Sequence, residues 1–207
     1  MDQNIFRQCF IQACRAMPAH RDELCKLDSF IGDADHGVTV ERGYLAAAEA
    51  AEKAGGAPET FLNAAADALS ETMGGAIGPL CGMFWGKVAD TLGEGSCDSP
   101  AIARAWKLGC ERVMRIGKAE RGAKTMVDAM LPCVEFAQQN SELSVHALLR
   151  GMAQAAALGA EATADMVATK GRARFLGEKS LGHEDPGARS FALMMEHLAE
   201  AAEQQEA

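Results

Sequence analysis

Three carboxylates, Asp28, Asp33 and Asp35, crowd the stretch Asp28-Ser29-Phe30-Ile31-Gly32-Asp33-Ala34-Asp35-His36-Gly37. Brought together in a fold they repel one another, and a bound hard cation is the natural compensating charge. Asp28 closes a helical stretch, and Asp33 and Asp35 flank Ala34, so alternate side chains of an extended turn can aim at one ion. Mg2+ takes oxygen ligands and keeps water or phosphate oxygens in its remaining positions, which suits a carboxylate cluster serving a phosphate ligand; two ions can share such a set. The same composition also describes an ordinary acidic turn whose aspartates cap helices.

Three further glycine-rich segments carry polar chemistry. After the acidic segment, a helix is expected to start at Thr39 or Val40, with Thr39 as its cap and His36 in the loop, either meeting phosphate or solvated. Gly74-Gly75-Ala76-Ile77-Gly78-Pro79-Leu80 runs into a helix whose first turn suits Pro79, and its small residues let backbone N–H groups approach an anion. No Lys-Ser or Lys-Thr follows those glycines, so it is not a Walker A loop. The third segment, Gly117 to Met126, offers Thr125 as a cap and two cations, Lys118 and Lys124, which either add positive charge to the site or are simply solvated. The fourth, Lys170 to Ser190, is too long for a casual connection and reads as a lid or binding element, with Arg172 and Asp185-Pro186-Gly187 facing a nucleotide.

The elements that must hold these segments are helical. Alanine is abundant, while Tyr, Thr, Ile and Val are sparse. Apolar residues recur at helical spacing in Phe6-Cys9-Phe10-Ala13-Met17, Leu62-Ala65-Ala66-Leu69-Met73 and Ile102-Ala105-Trp106-Gly109-Val113. The same spacing runs through Val127 to Val134, Val145 to Val167 and Phe191 to Leu198. About eight helices and no strand are expected. Short breaks at Pro18, Gly55 to Pro58, Gly93 to Ser96 and Gln138 to Ser141 imply antiparallel neighbours. The expected fold is all-α: a single domain over residues 1–207, an up-and-down bundle or closed helical barrel with the ligand loops at one end. Glu203 to Ala207 read as a frayed tail.

A net charge of −9 with no long basic cluster argues against a nucleic-acid surface. The seven cysteines include no Cys-x-x-Cys pair and sit mostly among apolar neighbours, as reduced core thiols do. The first residues carry no basic-then-apolar leader, and no stretch approaches the ~20 apolar residues of a membrane span. These features lead us to expect a soluble cytoplasmic protein.

Taken in order, Gly32-Asp33-Ala34-Asp35-His36-Gly37, Gly74-Gly75-Ala76, Gly78-Pro79-Leu80, Gly117-Lys118-Ala119, Lys124-Thr125-Met126, Gly171-Arg172-Ala173, Gly182-His183 and Asp185-Pro186-Gly187-Ala188 resemble the motifs of the L subunits (DhaL) of bacterial dihydroxyacetone kinases and of the matching domain of single-chain dihydroxyacetone kinases. The resemblance spans essentially the whole chain. It implies an eight-helix antiparallel barrel holding ADP or ATP with two Mg2+ ions at one end. Asp28, Asp33 and Asp35 would be the metal ligands. His36, Gly37, Val38, Thr39, Ala76, Ile77, Gly117, Met126, Arg172, Asp185, Pro186 and Gly187 would lie along the nucleotide.

The implied reaction is phosphoryl transfer to the hydroxyl of a small ketose, with no covalent nucleophile on this chain. The implied partner is a separate ketose-binding K subunit, joined in one branch by a phosphohistidine phosphotransferase protein that recharges a resident ADP. Ile77 stands where the family typically has Ser, Thr39 where Asn is frequent, and Ala123 where Asp commonly precedes Lys-Thr-Met. Two kinds of alternative remain: a kinase component for another acceptor, such as erythrulose or a fatty acid, and a non-catalytic Mg-nucleotide module.

Overall fold

The structure, a computed structural model, describes residues 1–205. Among the described residues there are nine α-helices and no strand. They are α1 (Gln3–Ala16), α2 (Arg21–Ile31), α3 (His36–Ala54), α4 (Pro58–Thr72), α5 (Ile77–Leu92), α6 (Ser99–Gly117), α7 (Met126–Gln139), α8 (Val145–Ala162) and α9 (Pro186–Gln204). Short 3-10 turns occupy Met17–His20, Thr163–Asp165 and Ala173–Ser180.

Capping chemistry sets many of the starts. Asp2 accepts from the amides of Asn4 and Ile5, Asp98 from Ala101, Ser144 from Ala147, and Asp185 from Ala188. Thr125 and Asp128 form a reciprocal capping box at α7.

The helices close into a ring. From α3 to α9 each packs on the next, α9 returns to α1, and α1 packs on α3. Eight helices therefore form an antiparallel barrel, and α2 is the ninth, set against α3 and α9. Pro18 divides the first helical run through the Met17–His20 turn, which separates α2 from α1.

The barrel interior is filled by aromatic rings. Phe10 meets Trp85 edge-on at 4.8 Å, Trp85 meets Trp106 at 5.6 Å, and the Trp106 indole N–H donates to Met195 Sδ at 3.2 Å. Each such ring pair contributes about 0.5–1.5 kcal/mol beyond its buried area. All seven cysteines are unpaired, and six are buried. Burial pushes the Cys9 thiol up to about 11 and those of Cys81 and Cys110 up to about 12.

Antiparallel order sends alternate connections to opposite ends. At one end the chain start, the α5–α6 loop and the α3–α4 loop are tied together. Gln3 donates to the carbonyls of Glu94 and Gly95, and the Glu59 amide donates to Gly93. The other end collects the α2–α3, α4–α5, α6–α7 and α8–α9 connections.

Several details differ from the sequence expectation. The α3 helix begins at His36, so Thr39 is not its cap but a buried residue inside it. At the chain end, Glu203 and Gln204 complete α9, and Arg150 Nε donates to Glu203 Oε1 at 2.5 Å. The rest of the expected frayed tail, Glu206 and Ala207, lies outside the described residues. Among the described residues, no helix is long and apolar enough to cross a membrane.

Candidate functional site

Asp28 sits in the last turn of α2 and is 8 % exposed. Its Oδ2 accepts from the backbone amides of Asp35 at 3.0 Å and His36 at 3.3 Å, so α2 supplies the acceptor at the N-terminus of α3. Asp35, at the N-cap position, makes no side-chain cap of its own, and its carboxylate faces the cleft. Gly32 leaves the space where a Cβ would collide with the Asp28 carboxylate. Ala34 is left-handed, with φ of 63°, which turns the chain so that Asp33 and Asp35 rejoin Asp28. This tight reversal replaces the extended turn expected from the alternation.

One carboxylate oxygen from each of Asp28, Asp33 and Asp35 lies within 4.8 Å of the other two. Bonds of about 2.0–2.1 Å to an octahedral Mg2+ would place two ligand oxygens about 2.9 Å apart when adjacent and 4.2 Å when opposite. Side-chain rotation that draws these oxygens in by about 1–2 Å would bring them to those spacings around one hard divalent cation, and the all-oxygen donor set suits Mg2+. Asp33 also pairs with the Arg172 guanidinium, which reaches across from the fourth loop.

These carboxylates form one wall of a cleft of about 750 Å³ that all four glycine-rich loops line. At its second wall, Ala76 offers α5 no side-chain cap, so the first-turn amides there are without a side-chain acceptor. Gly75, with φ of 67°, takes the left-handed turn that leads into them. Although the chain carries net −9, the cleft collects Arg42, Lys124, Lys170, Arg172 and Arg174 against Asp28, Asp33, Asp35 and Asp185. Clustered cations beside a carboxylate set that can take a metal give the cleft the charge pattern that suits a polyanionic phosphate, although Lys124 is itself buried.

The structure brings Thr39, Ala76, Ile77, Gly117, Met126, Arg172, Asp185, Pro186 and Gly187 to this cleft, as it does His36. It does not bring Gly37 or Val38. Gly37 is buried against the Arg21 carbonyl and Cys25 Sγ of α2, a contact that fixes the α2–α3 approach, and Val38 is 38 % exposed on the outer face.

His36 is not free in a loop. Its Nε2 lies 3.0 Å from Ser190 Oγ, and Ser190 donates in turn to the Gly187 carbonyl at 3.1 Å, so the ring ties α3 to α9. Burial lowers its pKa to about 4 against the opposing pull of the Asp28 charge, so the ring is neutral at pH 7 and presents no cation to phosphate.

Two residues act here in roles that the sequence does not give them. Lys124 is not solvated: it is 1 % exposed, and its ammonium donates to the carbonyls of Thr163 at 2.7 Å and His183 at 2.5 Å. It closes the base of the fourth loop, helped by Thr169 donating to Ala123 and Asp185 to Thr163 Oγ1. That loop is therefore a tied element containing the Ala173–Ser180 turn. Burial pushes the Asp185 carboxyl up to about 7, partly offset by the Ala188 amide and Lys124. Arg42 is the other; it holds the Thr72 carbonyl at 2.7 Å and lines the cleft. Its spacing three residues after Thr39 on one helix was the available signal.

The DAK2 domain family matches residues 30–200. The chain belongs to that family. This DAK2 domain is 40 % identical over 185 residues to the ADP-binding subunit DhaL of the PEP-dependent dihydroxyacetone kinase of Escherichia coli K12, covering 87 % of this chain and 88 % of that one. It is 38 % identical over 200 residues to the L-erythrulose 1-kinase of Mycolicibacterium smegmatis, covering 93 % of this chain but 34 % of that enzyme. Among solved structures, the dihydroxyacetone kinase of C. freundii in its native form superposes with a TM-score of 0.73 at 23 % identity, over 97 % of this chain and 35 % of that one. The same enzyme in complex with AMP-PNP and Mg2+ gives 0.69 at 26 % identity, over 92 % and 33 %. The DAK2 domain thus spans about a third of the single-chain kinases and most of the separate subunit.

Proposed function

We propose that this chain is the nucleotide- and Mg2+-binding subunit of a small-ketose kinase, acting on dihydroxyacetone held by a partner K subunit. The observation that carries the reading is the convergence of Asp28, Asp33 and Asp35 on one wall of a cation-lined cleft. The near full-length likeness to an ADP-binding kinase subunit supports it. Asp28, Asp33 and Asp35 would hold one or two Mg2+ ions, which when bound neutralise phosphate charge and orient the phosphates.

The chain's own groups do the rest. First-turn amides of α5 at Ala76 and Ile77 hold phosphate oxygens, and as backbone donors they work with Ile77 in place of a hydroxyl residue. Arg172, now paired with Asp33, lines the cleft within reach of phosphate and would be released to it were Asp33 to hold a metal, while Gly117, Met126 and Asp185 to Gly187 border the rest of the nucleotide. Transfer joins the acceptor hydroxyl oxygen to the terminal phosphorus, breaks its bond to the leaving diphosphate oxygen and releases the hydroxyl proton. The chain acts in the cytoplasm, and a phosphohistidine protein restores the triphosphate on a retained ADP, as fits the PEP-dependent relative.

Incubating the chain with radiolabelled ATP, Mg2+ and dihydroxyacetone, with and without a K-type subunit, tests this. Labelled triose phosphate, at least stoichiometric with the loaded chain, is expected only when both chains are present. Nucleotide binding without product under any pairing, including erythrulose as acceptor, would replace the kinase reading with a nucleotide-binding module.

A further inference from the structure

A second cluster of ligand-type side chains lies outside the cleft, where the Met17–His20 turn meets α9. His20 and His197 are far apart in sequence, yet their Nε2 atoms face one another at 2.8 Å, with ring centroids 5.0 Å apart. Each remaining ring nitrogen is occupied by a carboxylate of its own segment: His20 Nδ1 lies 3.1 Å from Glu23 Oε2, and His197 Nδ1 lies 2.8 Å from Glu200 Oε2. Ionised carboxylates only accept, so both Nδ1 atoms carry protons and both Nε2 lone pairs point into the same gap. A contact of 2.8 Å between those two nitrogens needs a proton or a metal ion between them.

The supports are themselves fixed. Arg189 Nε donates to Glu23 Oε1 at 2.7 Å, leaving Oε2 for His20. Burial alone would raise the Glu23 carboxyl, but the bonds from Arg189 and His20 hold it below its ordinary range, so it remains an acceptor. Imidazoles whose second nitrogen is held by a carboxylate are oriented as metal ligands are, and the carboxylate strengthens the ligand nitrogen. Nitrogen ligands of this kind favour zinc, copper and nickel over magnesium. A tetrahedral ion with bonds of about 2.0–2.1 Å sets two nitrogens about 3.3 Å apart, so the Nε2 atoms must part by about 0.5 Å and the rings, now almost head-on, must tilt until their lone pairs converge on the ion. Side-chain exposures of 23 % for His20 and 17 % for His197 leave an edge where water can complete the shell.

We propose that His20 and His197 bind one divalent transition-metal ion of the zinc class through their Nε2 atoms, the ion replacing a proton shared between the rings. The site is distinct from the Asp28–Asp33–Asp35 cluster, whose donors are all oxygen. Metal entry releases the shared proton to buffer. The bound ion links the start of α2 to α9, the helix whose N-terminus carries Asp185 to Gly187 in the cleft.

The test is calorimetric titration of Zn2+ into the full chain saturated with Mg2+ and ADP, in two buffers of different ionisation enthalpy. One Zn2+ per chain and about one proton released are expected. His20→Ala and His197→Ala should each weaken uptake at least about tenfold, and Glu200→Gln by about 10–100-fold, with ADP retention unchanged. Asp33→Ala should leave this uptake intact. Histidine 15N spectra of the unsubstituted chain give a reading independent of any variant's folding: Zn2+ shifts the Nε2 signals of both rings while both Nδ1 atoms stay protonated. Absence of stoichiometric uptake, equal uptake by His197→Ala, or unmoved Nε2 signals would overturn the site.

Discussion

Replacing Lys124 with Met removes a buried ammonium while keeping a side chain of similar length. The carbonyls of Thr163 and His183, now met at 2.7 and 2.5 Å, lose their donor. A hydrogen bond to a charged group contributes about 1.5–3 kcal/mol, so two amount to about 3–6 kcal/mol. Part is recovered because Met does not bear the desolvation that already lowers the Lys124 pKa. We expect a net loss of about 3 kcal/mol at pH 6, within the range for breaking a buried charged network.

A pH dependence follows from Asp185. Its carboxyl titrates near 7 in the fold against an ordinary 3.8, so the folded state binds the proton more tightly. Stability from this group is therefore full below about pH 4 and declines as pH rises to about 7. Lys124 is one of the groups holding that value down, and losing it pushes Asp185 higher. The variant's deficit should grow by about 1 kcal/mol between pH 6 and pH 8, at about 1.4 kcal/mol per pH unit. Urea denaturation of the wild type, Lys124→Met, Asp185→Asn and the double variant at both pH values measures it, and the growth should vanish in the Asp185→Asn background. A deficit below about 1 kcal/mol at both pH values, or one larger at pH 6, would refute the reasoning.

Two further outcomes follow from packing. In the native state at pH 7.5 a maleimide counted by mass spectrometry should modify Cys25, the half-buried thiol, and reach the six buried cysteines only after denaturation; rapid native labelling of several would show that the barrel is not closed. Gly159 packs α8 directly on the backbone of α7, where a Cβ would press on the Asp128 carbonyl and the Ala129 Cα, so Gly159→Ala should cost about 1–3 kcal/mol in urea denaturation, and an unchanged midpoint would contradict that packing.

Much of this architecture was legible in the residues because its signals are local. The 3.6-residue spacing of Phe6, Cys9, Phe10 and Ala13 and of Ile102, Ala105 and Trp106 gave helices that the structure closes into a ring. The convergence of Asp28, Asp33 and Asp35 was legible because they are neighbours in sequence. What escaped depends on partners far along the chain. Lys124 looks like a solvated loop lysine until loop residues from Thr163 and His183 arrive around it. The start of α3 at His36 is set by Asp28 reaching back from the previous helix, and the His36 ring is neutralised by burial against α9. Gly37 is buried against α2 and Val38 is not among the residues that line the cleft, placements that helix rotation sets and sequence order does not show.

ADP affinity measured by calorimetry, with Mg2+ and with chelator, in the wild type and in Asp33→Ala and Asp35→Ala, tests the metal-nucleotide site most directly. Chelation, or either substitution, should weaken ADP binding by at least about tenfold. Equal affinity under all of these conditions would contradict it.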